Sequence, residues 1–73
     1  MSRTEIVNHP EYYDAIPGIE CIDVVEHFNF NLGNVIKYVW RVGLKPNTAA
    51  EDDLKKAIWY LERELERIKK NEH

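Results

Sequence analysis

The chain has 73 residues, of which 10 are Lys or Arg and 13 are Asp or Glu, so its formal net charge is -3. A chain of this length forms at most one domain and buries only about 60% of its unfolded surface, which leaves a small core. The acidic balance argues against a general nucleic-acid-binding protein, because such a protein needs a basic face.

So small a scaffold usually needs an additional source of stability. Cys21 is the only cysteine, which excludes disulfides and a cysteine-type zinc site. The three histidines show no metal-ligand spacing, so self-association remains and we expect a homo-oligomer. We recognise no secretory signal and no apolar run long enough to span a bilayer, and therefore expect a cytoplasmic protein without a membrane partner.

Residues 1–18 contain two prolines and a glycine that interrupt the backbone, and they are predicted to form an arm. His9, Tyr12 and Tyr13 lie on this arm, and binding residues often lie on loops over a rigid scaffold. His9 either donates to a phosphate or is a surface residue. Tyr12 and Tyr13 either stack on a base or fill the core.

A first helix is predicted over residues 19–28 and a second over residues 31–43. The first carries apolar residues at the i, i+3, i+4, i+7 spacing of an amphipathic helix, namely Cys21, Val24, Val25 and Phe28. The second is apolar almost all round. Asn29 or Asn31 can cap its start, and Gly43 is well placed to end it.

A third helix is predicted over residues 49–69, after a capping box formed by Thr48 and Glu51. Asp52 and Lys56 are placed for an exposed i, i+4 ion pair. Five apolar residues of this helix are spaced 4, 3, 4, 3, which is the pattern of a heptad seam: Leu54, Ile58, Leu61, Leu65 and Ile68.

The connection between the second and third helices is short, which favours antiparallel packing. We therefore predict an all-α fold, with a short N-terminal arm and helix followed by a long antiparallel helical hairpin. Residues 1–73 are expected to form one domain that assembles into oligomers through the heptad seam.

Asn34, Lys37 and Arg41 share one face of the second helix, and Lys45 follows its end. Lys37 and Arg41 are like charges one turn apart, which costs an isolated helix roughly 0.2 to 0.5 kcal/mol. A bound phosphate would explain this arrangement, because Arg supplies a planar fork, Lys a compact charge and Asn a neutral donor. The alternative is that each cation pairs with an acid of the first or third helix. On the phosphate interpretation, Arg41→Ala weakens binding and leaves the fold intact.

Other candidate groups favour structural roles. Trp40 and Trp59 are expected to fill the core, and Cys21 is expected to be a buried thiol rather than a nucleophile. No two helices carry facing pairs of glutamates at helical spacing, so no metal site is predicted. A glycine-rich phosphate loop is also missing from the sequence. We predict no catalytic residue and no cofactor.

Four blocks between residues 8 and 64 carry a resemblance: NHPEYY, GIECIDVVEHF, FNLGNVIKYVWRVGLK and EDDLKKAIWYLERE. In order and spacing they resemble a phage-encoded family of small helical proteins catalogued as a domain of unknown function. A related segment occurs in a nucleotide kinase of podoviral phages, which also lacks a recognisable phosphate loop. The matching polar positions are His9, Tyr12, Tyr13, Asn34, Lys37, Arg41, Lys45, Lys55 and Lys56.

The resemblance implies a phage protein that acts on nucleotides in the cytoplasm of an infected bacterium. The chain is similar to the bare domain of the longer kinase, so we predict a non-catalytic protein that binds a nucleotide or cyclic nucleotide. Phage sponge proteins that sequester cyclic nucleotide immune signals have a similar architecture, which suggests sequestration. The alternatives are a nucleoside monophosphate kinase and a helical protein–protein interaction module. The predicted ligand-binding residues are His9, Tyr12, Tyr13, Asn34, Lys37, Arg41 and Lys45.

Overall fold

The computed structural model describes residues 15–44 and 46–71, which contain three helices. Helix α1 is Cys21–Val25, α2 is Phe30–Trp40 and α3 is Ala50–Lys70. No strand occurs within these ranges, which confirms the all-α class. No helix among these residues is long and apolar enough to cross a membrane.

The two shorter helices end earlier than the sequence patterns indicate. Helix α1 stops at Val25, inside the predicted range of 19–28, and α2 stops at Trp40 instead of residue 43. After α2 the chain turns through Gly43 at φ 73° and Asn47 at φ 63°. Both residues tolerate the left-handed conformation better than other types do, which explains why the helix does not continue through them.

The start of α3 differs from the predicted capping box. Its N-cap is Ala49, which cannot supply a side-chain bond, so the prediction that Thr48 caps the helix is wrong. Glu51 lies in the first turn, where the helix dipole favours acids, and its carboxylate pairs with Lys55 at 2.8 Å. The helix therefore begins without the pair of side-chain caps that a capping box supplies, and the acids of its first turn interact favourably with the helix dipole instead.

Helix α2 packs against α3 in the opposite direction. Asn31, in the first turn of α2, contacts Glu64 in the second half of α3, whereas Arg41 at the end of α2 contacts Asp53 in the first turn of α3. The buried and half-buried residues of α3 follow a spacing of 4, 3, 4 and form its inner row: Asp53, Ala57, Tyr60 and Glu64. This inner row is mostly polar, so side-chain hydrogen bonds and ion pairs hold much of the interface.

One end of the interface is a buried ion pair. Arg41 Nε donates to Asp53 Oδ1 at 3.2 Å, and the two side chains are 6% and 0% exposed. A buried carboxylate without a cationic partner would be strongly unfavourable, so this contact is a condition for burying Asp53 at all. Asp53 Oδ2 is also buried and accepts no hydrogen bond within the part of the chain described.

The other end is centred on Glu64. Its carboxylate accepts hydrogen bonds from Arg67 Nη2 and Nε at 2.7 and 2.9 Å, from Asn29 Nδ2 at 2.9 Å and from Asn31 Nδ2 at 3.2 Å. Asn29 also caps α2, because its Oδ1 accepts from the Leu32 N–H at 2.9 Å. The Arg67 bonds, followed by those from Asn31 and Asn29, hold the pKa of Glu64 at about 2 against the opposing effect of burial.

Little apolar surface is enclosed by the chain itself. Among the described residues, the buried apolar side chains are Cys21 and Ala57. Helix α1 reaches α2 at Gly33, where an added Cβ would lie 3.2 Å from the Val25 carbonyl oxygen, so glycine permits the close approach. The apolar residues of the predicted seam on α3 lie outside the inner row and are 44–57% exposed: Leu54, Ile58, Leu61, Leu65 and Ile68.

Arg41→Ala should destabilise the fold, because it leaves the Asp53 carboxylate buried without its cation. We expect a loss of about 3–5 kcal/mol in the free energy of unfolding, measured by urea denaturation. The sequence led us to expect that Arg41→Ala keeps its fold. The burial of the Arg41–Asp53 ion pair does not agree with that expectation. The control is Arg63→Ala, which removes an exposed pair with Glu66 at 3.7 Å and should cost at most about 1 kcal/mol. Equal losses in the two variants would contradict the role of the buried pair.

Acidification should remove the contribution of Glu64. Its folded pKa of about 2 lies below the ordinary value of 4.5, so the stabilisation is complete above about pH 4.5 and is lost as the pH falls towards 2. We expect Glu64→Gln to be less stable than wild type at pH 6, and the difference in urea midpoint to shrink between pH 4.5 and 2. A difference that stays constant across this range would show that the ionised carboxylate is not the source.

Candidate anion-binding site

Three cationic side chains surround the ring of Tyr38, which lies on α2. The Arg41 guanidinium carbon is 4.6 Å from the ring centroid, Lys37 Nζ is 5.4 Å from it and Lys56 Nζ is 5.5 Å from it. Lys37 lies on α2, Arg41 caps the end of that helix and Lys56 lies on α3, so the packing of the two helices assembles the group. We call Lys37, Arg41 and Lys56 the cation cluster. Attraction between a cation and the face of an aromatic ring favours this placement.

Aromatic contacts fix the position of the Tyr38 ring. Tyr38 stacks on Tyr60 of α3, with a centroid distance of 6.0 Å and an interplanar angle of 17°. Phe30 and Trp59 contact Tyr60 edge-on, at 6.0 Å and 72° and at 4.9 Å and 85° respectively. Such pairs contribute roughly 0.5–1.5 kcal/mol each beyond the area they bury, so the ring that the cations surround is held in place.

Two of the three cations in the cation cluster have no carboxylate partner among the described residues. Arg41 pairs with Asp53, whereas Lys37 and Lys56 make no ion pair within the part of the chain that the structure describes. The predicted ion pair between Asp52 and Lys56 does not form, and Lys56 lies over the ring instead. Like charges held near one ring repel one another, and a bound anion would relieve that repulsion.

The structure brings only some of the predicted ligand-binding residues to the cation cluster. Lys37 lies in the cation cluster and is half-buried. Arg41 is buried against Asp53, as in the alternative that pairs the cations with acids of the third helix. The Asn34 amide donates to the Phe30 carbonyl oxygen of its own helix at 2.9 Å. Four predicted residues lie outside the described residues: His9, Tyr12, Tyr13 and Lys45.

Lys56 was not among the predicted ligand-binding residues, although it was one of the polar positions carrying the resemblance. Spacing along α2 identifies residues that share a face of α2, but it cannot identify a residue of another helix that packs beside them. One local signal was available, because Lys56 precedes Tyr60 by four residues and therefore lies on the same side of α3.

The structure gives no support for a nucleophilic cysteine or for a metal site among the described residues. Cys21 is buried, and burial raises the pKa of its thiol, an effect that the positive charge of Lys37 opposes. A protonated buried thiol is a poor nucleophile. Within residues 15–44 and 46–71, no three His, Cys, Asp or Glu side chains are grouped to hold a metal ion.

The two tryptophans differ in their surroundings. Trp40 is half-buried and lines a cavity of about 390 Å³ together with five apolar residues of the N-terminal segment and α2: Ala15, Ile16, Val35, Ile36 and Val39. Trp59 is 55% exposed, so the prediction that it fills the core is wrong. Its ring packs on the edge of Tyr60 and lies 6.0 Å from the Arg63 guanidinium carbon.

Comparison with known proteins identifies the family. Residues 7–62 match the model of the protein family of unknown function DUF3310. The chain is 41% identical to the Gene 1.7 protein of Enterobacteria phage T3, over 82% of this chain and 44% of that relative, so it spans less than half of the relative's length. No match to a solved structure was found. Because the family model covers most of the sequence, the chain belongs to the DUF3310 family of proteins of unknown function.

Proposed function

We propose that this chain is a phage nucleotide-binding protein that holds a phosphate group at the cation cluster and catalyses no reaction on it. The observation that carries the proposal is the pair of lysines, Lys37 and Lys56, that lie 5.4 and 5.5 Å from the centroid of the Tyr38 ring. Neither lysine has a carboxylate partner among the described residues. A phosphate group would contact both charges and offset their repulsion.

The role of Arg41 in this site is to hold the two helices in the arrangement that brings the lysines together. Its Nε is committed to Asp53, and only 6% of its side chain is exposed. The guanidinium lies closer to the Tyr38 centroid than either lysine does, at 4.6 Å. Because Asp53 balances its charge, Arg41 contributes to the site by fixing the end of α2 against α3 beside the lysines.

The two stacked tyrosines supply a surface for a base. Tyr38 and Tyr60 are both half-buried, so part of the aromatic pair remains accessible, and Lys37 and Lys56 lie over the Tyr38 ring. Stacking of a base on an aromatic side chain contributes about 1–3 kcal/mol and tolerates every base. A ligand that combines a phosphate with a planar base therefore fits better than inorganic phosphate alone.

Binding without turnover is proposed from the chemistry of the described residues. They supply cations and aromatic rings, and no grouped carboxylates of the kind that hold magnesium at a phosphoryl-transfer site. Because the similar protein is encoded by a phage, we propose that this chain acts inside an infected bacterium. A small phage protein that binds a nucleotide without changing it would act by sequestration, and we propose a host immune nucleotide, cyclic or linear, as its ligand.

Lys37→Ala and Lys56→Ala should each weaken nucleotide binding by about tenfold or more. A hydrogen bond to a charged group is worth about 1.5–3 kcal/mol, and about 1.4 kcal/mol corresponds to a factor of ten. The measurement is titration calorimetry with adenosine monophosphate, adenosine triphosphate and a cyclic dinucleotide. The matched control is Lys70→Ala, because Lys70 lies on the same helix about 21 Å from Lys56.

Two results would contradict this assignment. One is wild-type protein that binds none of these nucleotides. The other is binding that Lys70→Ala weakens as much as the substitutions in the cation cluster do.

Removal of divalent metal should leave nucleotide affinity unchanged. Titrations in EDTA and in magnesium are expected to give the same Kd, and incubation of a nucleoside monophosphate with ATP and magnesium is expected to yield no diphosphate. Transfer of phosphate from ATP would instead establish the nucleoside monophosphate kinase alternative. Binding that magnesium restores after chelation would show that a metal takes part in the site.

A further inference from the structure

The outer apolar row of α3 is a continuous strip that residues 15–44 and 46–71 leave largely exposed. Its five side chains are between 44% and 57% exposed, and we call them the seam: Leu54, Ile58, Leu61, Leu65 and Ile68. From Leu54 to Ile68 the seam is about 21 Å long. At about 100° per residue, its centre lies roughly 90° around α3 from the inner row that faces α2. The seam is therefore separate from both the α2 interface and the cation cluster.

The residues flanking the seam are different on its two sides. One flank is Ala57 and Glu64, which belong to the inner row and are buried. The other flank is exposed and alternates in sign, with Lys55, Glu62 and Lys69 at intervals of seven residues. Lys55 pairs with Glu51 of its own helix, and both side chains remain more than half exposed. An exposed pair of this kind is weak, so Lys55 can change partner at little cost.

We propose that the seam binds a second copy of this chain in an antiparallel arrangement, with a two-fold axis midway between Ile58 and Leu61. In this register Leu54 faces Leu65 of the partner subunit, and Ile58 faces Leu61 of the partner subunit. The symmetry repeats both contacts, which gives four apolar layers. A two-fold interface uses the same patch on both copies, so the seam covers itself from Leu54 to Leu65, and Ile68 lies beyond the four layers.

Charge complementarity selects this arrangement. In an antiparallel pair the alternating flank of one helix lies beside the same flank of its partner. Lys55 then lies near the partner's Glu62, and Glu62 lies near the partner's Lys55. The charges at the helix ends also favour this arrangement, because the acidic first turn of α3 approaches the basic last turn of the other copy. The two helix dipoles then point in opposite directions, which is favourable.

A parallel pair lacks these contacts. It would bring the exposed flank of one helix beside the inner flank of the other, where Lys55 and Glu62 would meet Ala50 and Ala57. Lys69 would meet Glu64, whose carboxylate is already bonded to Arg67 and two asparagines. It would also place the acidic first turns of the two helices together and the basic last turns together. The sign pattern of α3 therefore fits a second antiparallel copy and does not fit a parallel one.

The test is a charge exchange between Lys55 and Glu62, followed by sedimentation equilibrium with helix content checked by circular dichroism. Wild type is expected to be a dimer at micromolar concentration. Lys55→Glu and Glu62→Lys should each raise the dimer Kd by roughly ten- to a hundredfold, since two symmetric attractions become two repulsions. The double variant should recover the wild-type Kd. An equimolar mixture of the two single variants should form a heterodimer tighter than either homodimer.

The matched control is Arg63→Glu, which replaces a cation with an acid as Lys55→Glu does, but at an exposed position on the side of α3 opposite the seam. It should leave the dimer Kd within about twofold of wild type. Leu61→Lys should give monomers, since it puts a charge in the apolar layers. Monomeric wild type, a double variant that fails to recover, or a mixture without heterodimers would each overturn the proposal. None of these outcomes bears on nucleotide binding at the cation cluster.

Discussion

Two carboxylates on the inner row of α3, Asp53 and Glu64, have to be neutralised where α2 packs on them. Arg41 neutralises Asp53 at one end of the interface, and Arg67 neutralises Glu64 at the other, where two asparagines also donate hydrogen bonds to it. Because these partners are fixed on α2 and α3, they set which face of α3 lies inward and which way α2 runs. The placement of the remaining side chains follows from that choice.

The choice divides α3 into rows with separate roles. The inner row is taken by the contact with α2, so the apolar seam lies outward, where it is available for association. On the opposite side, Lys56 lies beside Tyr38 and Lys37 and joins the cation cluster. A chain whose described residues bury little apolar surface depends on polar contacts for its geometry, and the proposed second copy would add further stability.

Local signals in the sequence predicted the helices and limited the cap of the second helix to Asn29 or Asn31, because these features depend on residues close together in the chain. They did not predict that Asp53 and Glu64 face inward, since the partners Arg41, Asn29 and Asn31 lie 12 to 35 positions away. The same limit applies to the site. Spacing selected the cations of α2, but Lys56 reaches Tyr38 only through packing, and Arg41 is committed to a carboxylate that spacing could not identify.

The most direct measurement is a nuclear magnetic resonance titration of the labelled wild-type protein with a nucleotide. The proposed site predicts saturable shifts that are largest for the Tyr38 ring and for the side-chain amines of Lys37 and Lys56, with the seam residues of α3 little changed. Saturable shifts confined to residues remote from Tyr38, or no shift at millimolar nucleotide, would contradict the proposed function.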